Sequence, residues 1–141
     1  YNVKIGTSYA ELVEASGGFK DGVKKVISGG PMMGMALSTV DIPIVKTSSA
    51  LTCFMEDEVE KYEETACIRC GKCAQVCPSH VIPQKLMEAA QHYDMERFTA
   101  LNGMECCECG CCTFICPAKR PLTQAFKQMR QAVAAERRKK K

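Results

Sequence analysis

Cys67-Ile68-Arg69-Cys70-Gly71-Lys72-Cys73-Ala74-Gln75-Val76-Cys77-Pro78 decides how the chain is read, because a shift of 39 residues lays it on Cys106-Cys107-Glu108-Cys109-Gly110-Cys111-Cys112-Thr113-Phe114-Ile115-Cys116-Pro117. Four cysteines, a glycine and a proline coincide, and both segments read C-x2-C-x2-C-x3-C-P. The shift also sorts the cysteines of the second segment. Cys107 falls opposite Ile68 and Cys111 opposite Lys72, neither of which ligates a metal, so Cys107 and Cys111 are expected to be non-ligands. The candidate metal ligands are then Cys67, Cys70, Cys73, Cys77, Cys106, Cys109, Cys112 and Cys116. Structural zinc also takes four thiolates, but usually as two C-x2-C pairs with a longer spacer, so a packed triplet suits it poorly. Gly71 and Gly110 supply backbone angles that a side chain disfavours, and Pro78 and Pro117 redirect the chain.

The spacing is that of bacterial ferredoxins, in which three thiolates of a tight loop bind three irons of a 4Fe-4S cube. Resemblance to two-cluster ferredoxins implies a crossed scheme: Cys67, Cys70, Cys73 and Cys116 hold one cluster, and Cys106, Cys109, Cys112 and Cys77 the other. Each oxidised cube with four thiolates carries about −2, which takes the formal charge of the chain from +3 to about −1. Lys72, Lys119 and Arg120, beside the ligands, are placed to offset that charge locally.

Outside the repeat the composition narrows the class. The chain has 141 residues, 46% apolar, 25% charged and 6% aromatic, enough for one ordinary domain or two small ones and too little for a large enzyme. No apolar run approaches the roughly 20 residues of a membrane-spanning helix, and Tyr1-Asn2-Val3-Lys4-Ile5 has no signal-peptide pattern. The missing initiator Met reads as a fragment or a processed chain. Eleven cysteines are an odd number, and ten of them lie between Cys67 and Cys116, so they describe a site and not a disulfide scaffold. Thiols this dense need a reducing compartment, hence the cytoplasm. Cys53, alone outside the repeat, is expected to be a small buried residue. His80 is read as a surface or capping residue and His92 as an ordinary helix residue.

Residues 1–52 read as a small mixed α and β unit. A strand is expected around Val3–Ile5, then a helix from Ser8 with Glu11 as its capping box, ending at Gly17-Gly18. Further strands are expected at Val23–Ile27 and Asp41–Val45, with Pro43 favouring an edge. Gly29-Gly30-Pro31 matches no phosphate loop and reads as a structural turn, and Met32, Met33 and Met35 read as packing. Residues 53–66 form an acidic linker: six of the nine residues 56–64 are acidic, which suits a solvated connector better than a docking surface. Residues 67–120 make the cluster domain, in which a helix is expected from Pro83 to about Leu101, with Leu86, Ala90, Tyr93 and Leu101 near one face. Residues 121–141 give a final helix with an apolar stripe of Leu122, Ala125, Phe126, Met129 and Val133, then a basic run, Arg137 to Lys141. That run has the charge to meet acidic lipid, an acidic partner or nucleic acid, but a solvated terminus is the simpler reading. Nucleic acid is the least favoured, since no aromatic residue is interleaved.

Cys106 to Pro117 followed by Ala118-Lys119-Arg120-Pro121-Leu122 resembles the C-terminal ferredoxin portion of the C subunit of the Rnf ion-translocating ferredoxin:NAD oxidoreductase. Ile5-Gly6-Thr7-Ser8-Tyr9-Ala10-Glu11-Leu12, Ile27-Ser28-Gly29-Gly30-Pro31-Met32-Met33-Gly34 and Asp41-Ile42-Pro43-Ile44-Val45-Lys46 resemble, in the same order, the soluble-ligand-binding β-grasp domain of that family. The resemblance implies an α+β chain: a β-grasp module followed by an α-helical two-cluster 4Fe-4S ferredoxin domain. It implies an electron relay with no catalytic residue of its own, peripheral on the cytoplasmic face of the cell membrane and held there by the ferredoxin-like and membrane subunits. FMN and NADH are expected only on an upstream domain. The cobalamin reductase of diol-utilising microcompartments, built of similar parts, is the alternative, and a zinc-holding interaction module is a rival of another class.

Overall fold

In the computed structural model, which describes residues 1–140, Ser8 opens the first helix, α1 (Tyr9–Ala15), by accepting a hydrogen bond at Oγ from the Ala10 N–H at 3.1 Å. The cap therefore falls on the second helical residue, one short of the Glu11 expected of a capping box. At the other end Gly17 N–H donates to Glu14 O at 3.0 Å and Gly18 N–H to Val13 O at 2.8 Å. Both glycines have positive φ, and this paired closure uses up the last carbonyls of the helix.

The chain divides into two compact units, Tyr1–Lys61 and Tyr62–Lys141. In the first, β1 (Lys25–Ser28) is the centre of a three-stranded antiparallel sheet between β2 (Met35–Ala36) and β3 (Leu51–Phe54). Ile27 lies opposite Ala36 on one side and Thr52 on the other. A β-carbon on Gly34 would run into the Ile27 side chain and the carbonyls of Ser28 and Gly30, which is why the hairpin after β1 closes on glycine. Tyr9, Ile27 and Ile44 are the buried apolar residues of this unit, and the Tyr9 hydroxyl meets Ser28 Oγ at 2.8 Å.

Several expectations for this unit need correcting. No strand forms around Val3–Ile5, and Asp41–Val45 is not a strand of the sheet. Gly6 N–H donates to Ile44 O, Ile44 N–H to Thr7 O and Tyr9 N–H to Ile42 O, so these two segments pair locally through a single bridge, Ser8 with Pro43. Pro43 has no N–H to extend the ladder. The strand that fills the place beside β1 is Leu51–Phe54, which carries Cys53 exposed on the sheet edge instead of buried. Met32, Met33 and Met35 are exposed too, not packed as expected. Asp57, in the acidic run, is tied to β1 by Lys25 Nζ at 2.8 Å, and that ammonium holds its carboxyl below the usual carboxylate range.

The second unit is helical: α2 (Lys72–Gln75), α3 (Pro83–Gln91), α4 (Met95–Ala100), α5 (Cys111–Ile115) and α6 (Leu122–Lys139). The single helix expected from Pro83 to Leu101 is two helices. Tyr93 turns left-handed at φ 53°, and Asp94 caps α4 by accepting from the Arg97 N–H at 2.9 Å. The break aims Phe98 inward, where it is fully buried and meets Phe126 with ring centroids 6.2 Å apart. It also leaves Tyr93 exposed. Around this aromatic pair Leu86, Ala89, Met129, Leu122 and Val133 complete one core, built mainly from α3, α4 and the stripe of α6. The α6 residues Leu122, Phe126, Met129 and Val133 recur at steps of three and four, as the sequence predicts. Arg137, Arg138 and Lys139 are exposed but still helical; Lys141 lies outside the described residues.

Candidate functional site

The 39-residue repeat is a repeat of backbone as well as of sequence. Arg69 and Glu108 are both left-handed, at φ 56° and 57°, followed by Gly71 and Gly110 at 77° and 83°. Each glycine starts a short helix, α2 or α5. After the fourth cysteine the chain turns alike in both copies: His80 N–H donates to Cys77 O and Lys119 N–H to Cys116 O, each at 3.2 Å. His80 and Lys119 are left-handed at 52° and 53°.

These loops frame two recesses. Cys67, Cys70, Cys73 and Cys116 line the first, with Arg69, Gln84, Arg120 and Leu122 also in its wall. Cys106, Cys109, Cys112 and Cys77 line the second, with Ser79, Val81, Thr123 and Phe126. Three thiols of each set come from one segment and the fourth from the other. The exchange is made by the short helices: Cys73 and Cys77 lie at opposite ends of one helical segment and face different recesses, as do Cys112 and Cys116.

Contacts ahead of Cys67 hold the first recess together. Thr65 N–H donates to Ala118 O at 3.0 Å, Arg120 Nε donates to Glu64 Oε1 at 3.1 Å, and Lys119 Nζ lies 4.0 Å from the centre of the Tyr62 ring. Residues 62–65 therefore run beside residues 118–120, which brings Cys67 round to Cys116. The acidic run is thus not wholly a solvated connector. The sequence offered no signal for this pairing across more than fifty residues.

The second recess is the more enclosed. Cys77 and Cys112 are buried, whereas Cys67 and Cys70 are exposed. Thr113 Oγ1 donates to Thr123 Oγ1 at 2.9 Å, and the Thr123 hydroxyl also meets Cys112 Sγ at 3.6 Å. Glu108 N–H donates to Cys106 Sγ at 3.4 Å, and the Glu108 carboxylate pairs with Arg130. Burial raises the thiols of Cys73, Cys106 and Cys112, and pushes Cys109 up to about 11. A hydrogen bond with Ser79 lowers Cys107. Cys107 also lines the second recess, while Cys111 lines neither. His80 is exposed, and His92 closes the end of α3.

The donor set fits an iron-sulfur cluster. No carboxylate or imidazole lines either recess, so the available ligands are soft thiols, which select zinc or iron-sulfur. Among the described residues, no three Cys, His, Asp or Glu side chains converge closely enough for a single ion.

A 4Fe-4S binding domain family matches residues 60–82. Over 137 residues, 97% of the chain, the sequence is 38% identical to the C subunit of the Na(+)-translocating ferredoxin:NAD(+) oxidoreductase complex of Acetobacterium woodii. The chain is homologous to the C-terminal region of such C subunits. The proton-translocating counterpart of Clostridium ljungdahlii is 46% identical over 84 residues, covering 60% of the chain and 18% of that protein. The C subunit of the ion-translocating oxidoreductase complex of Methanosarcina acetivorans is 34% identical over 125 residues, covering 89% of the chain and 28% of that protein. The chain spans less than a third of these relatives, 31% of the Acetobacterium protein. Among the described residues no helix is long and apolar enough to cross a membrane.

Proposed function

We propose that this chain is the electron-transfer portion of the C subunit of a membrane-bound ion-translocating ferredoxin:NAD oxidoreductase, relaying single electrons through two 4Fe-4S clusters. The observation that carries the reading is the pair of all-thiol recesses, each completed by a cysteine from the opposite segment. In this reading Cys67, Cys70, Cys73 and Cys116 hold one cluster, and Cys106, Cys109, Cys112 and Cys77 the other. When bound, each cluster supplies a store for one electron at a time, which suits traffic between a two-electron hydride donor and one-electron carriers.

The protein's own part is to hold and shield. Eight thiols give up their protons to become ligands, and raised thiol values at the second recess make metal the partner that draws those protons off. Four residues of helix rise only about 6 Å, so the segments that carry Cys73 to Cys77 and Cys112 to Cys116 keep the two sites within a short electron path. The core behind the second recess, with Phe126 in its wall, keeps water from that side.

The first unit, with one short helix and a small antiparallel sheet, is read as a β-grasp module. FMN and NADH belong to an upstream part of the protein, and the partners are the ferredoxin-like and membrane subunits, which hold it at the cytoplasmic face of the membrane. No residue of this chain is assigned a catalytic role. Relatives named for protons and for Na(+) match the same region, so the coupling ion is not part of the reading. Iron and acid-labile sulfide measured on anaerobically purified protein test it: about eight of each per chain are expected for two cubes. Zinc without sulfide overturns the relay.

A further inference from the structure

We infer that the two sites are unequal in a fixed direction: the site of Cys67, Cys70, Cys73 and Cys116 takes an electron more readily than the site of Cys106, Cys109, Cys112 and Cys77. The inference rests on the two-cluster reading above and adds an order that the reading leaves open. In the transfer itself one electron leaves the second site and enters the first, so one site is oxidised as the other is reduced, and no bond or proton moves.

The repeat supplies its own control, because residues 39 apart occupy equivalent positions. Where the first loop has Arg69, the second has Glu108, with the same left-handed backbone. Lys72 is matched by Cys111. Most tellingly, Arg120 and Val81 are equivalent, both almost buried at 9% and 6% exposure, and each lines the wall of its own recess. The first site therefore has cations where the second has an anion, a cysteine and a hydrocarbon.

Reduction adds one negative charge to a cluster that is already negative, so nearby cations favour it and burial opposes it. Charge and burial act together here. Cys67 and Cys70 are exposed to water, whereas Cys77 and Cys112 are buried.

Three features act the other way and are smaller, the first being the long contact, 3.4 Å, by which Glu108 N–H donates to Cys106 Sγ. The Thr123 hydroxyl approaches Cys112 Sγ at 3.6 Å, a long contact from a neutral donor. Arg130 is near the second site, but it pairs with Glu108 at nearly equal side-chain exposure, 29% and 28%, so the two charges largely cancel. Arg120 also has a carboxylate partner, Glu64. There the exposures differ, 11% for Arg120 against 45% for Glu64, so water screens the anion more than the cation that lines the recess.

The test is a redox titration of the full chain with both clusters in place, followed by electron paramagnetic resonance. Two one-electron couples are expected, at least tenfold apart in electron affinity, which is about 59 mV. Arg120→Gln and Arg69→Gln should each lower the upper couple and leave the lower one in place, while Arg120→Lys should stay near the parent. Arg69 is on an exposed loop, so its variant remains informative if loss of the Glu64 pair disturbs folding. Two couples that coincide, or substitutions that move only the lower couple or both equally, overturn the order. A protein with fewer than two couples and little labile sulfide overturns the two-cluster reading itself.

Discussion

Cys77 is the residue at which the crossed arrangement can be tested most sharply. It is four residues from Cys73 in the sequence, yet it lines the recess of Cys106, Cys109 and Cys112. Replacing it by Ser removes one of the four proposed ligands there and none from the other recess, where Cys67, Cys70, Cys73 and Cys116 all remain. With about four irons per cube, the expected iron content falls from about eight to about four per chain. The double variants carry the decision. Cys77→Ser with Cys109→Ser strikes one recess twice and should again leave about four irons, whereas Cys77→Ser with Cys70→Ser strikes both and should leave close to none. Iron and sulfide assays on anaerobic preparations read this directly, and the paramagnetic signal of the surviving cluster identifies it. Ser at this buried position adds a folding cost of about 1–3 kcal/mol for an unpartnered hydroxyl, so Cys77→Ala is the matched control. If Cys77→Ser with Cys70→Ser kept about four irons while Cys77→Ser with Cys109→Ser lost all, each segment would hold its own cluster and the crossing would be wrong.

Phe126→Ala should destabilise the helical unit by about 3–5 kcal/mol, since it empties a fully buried site against Phe98, and denaturant unfolding followed by circular dichroism measures it. A loss under about 1 kcal/mol would mean that this aromatic pair is not the centre of the core. The thiols give a pH dependence with a definite sign. In the metal-free, reduced chain burial raises Cys73, Cys106 and Cys112, and Cys109 to about 11 from an ordinary 9.0, so the unfolded chain loses these protons first. The stability that the neutral thiols contribute is complete below about 9 and is lost as pH rises from there towards 11. Denaturation midpoints should fall across that window, with a smaller fall in Cys109→Ser; midpoints that stay flat or rise would contradict the burial argument.

Cysteine spacing made the site legible because ligand geometry is local: three thiols within seven residues and a glycine between them define a loop whatever surrounds it. The repeat sets Cys107 and Cys111 apart from the rest, and of the two Cys111 lines neither recess whereas Cys107 lines the second. The stripe on α6 was equally plain, since eighteen residues give a helical period room to show. The split between α3 and α4 was missed although Asp94, a good cap, was in view, because an unbroken apolar rhythm through Leu86, Ala90 and Tyr93 outweighed one capping residue. The sheet was the least legible part. Its strands are two to four residues long, too short for an alternation to register, and β3 borders an acidic stretch that read as linker. Charge pairs such as Glu64 with Arg120 and Glu108 with Arg130 join distant residues and have no sequence signature at all.

The exchange of the fourth thiol has a consequence for how the protein is made. The first three thiols of the earlier recess leave the ribosome well before Cys116, which lies 49 residues beyond Cys67. At roughly 5–20 residues per second, the recess waits about 2–10 seconds for its last donor. Iron delivery to either pocket is therefore a late event in biosynthesis, and a transcript cut short before Cys112 yields two incomplete cups, not one finished one.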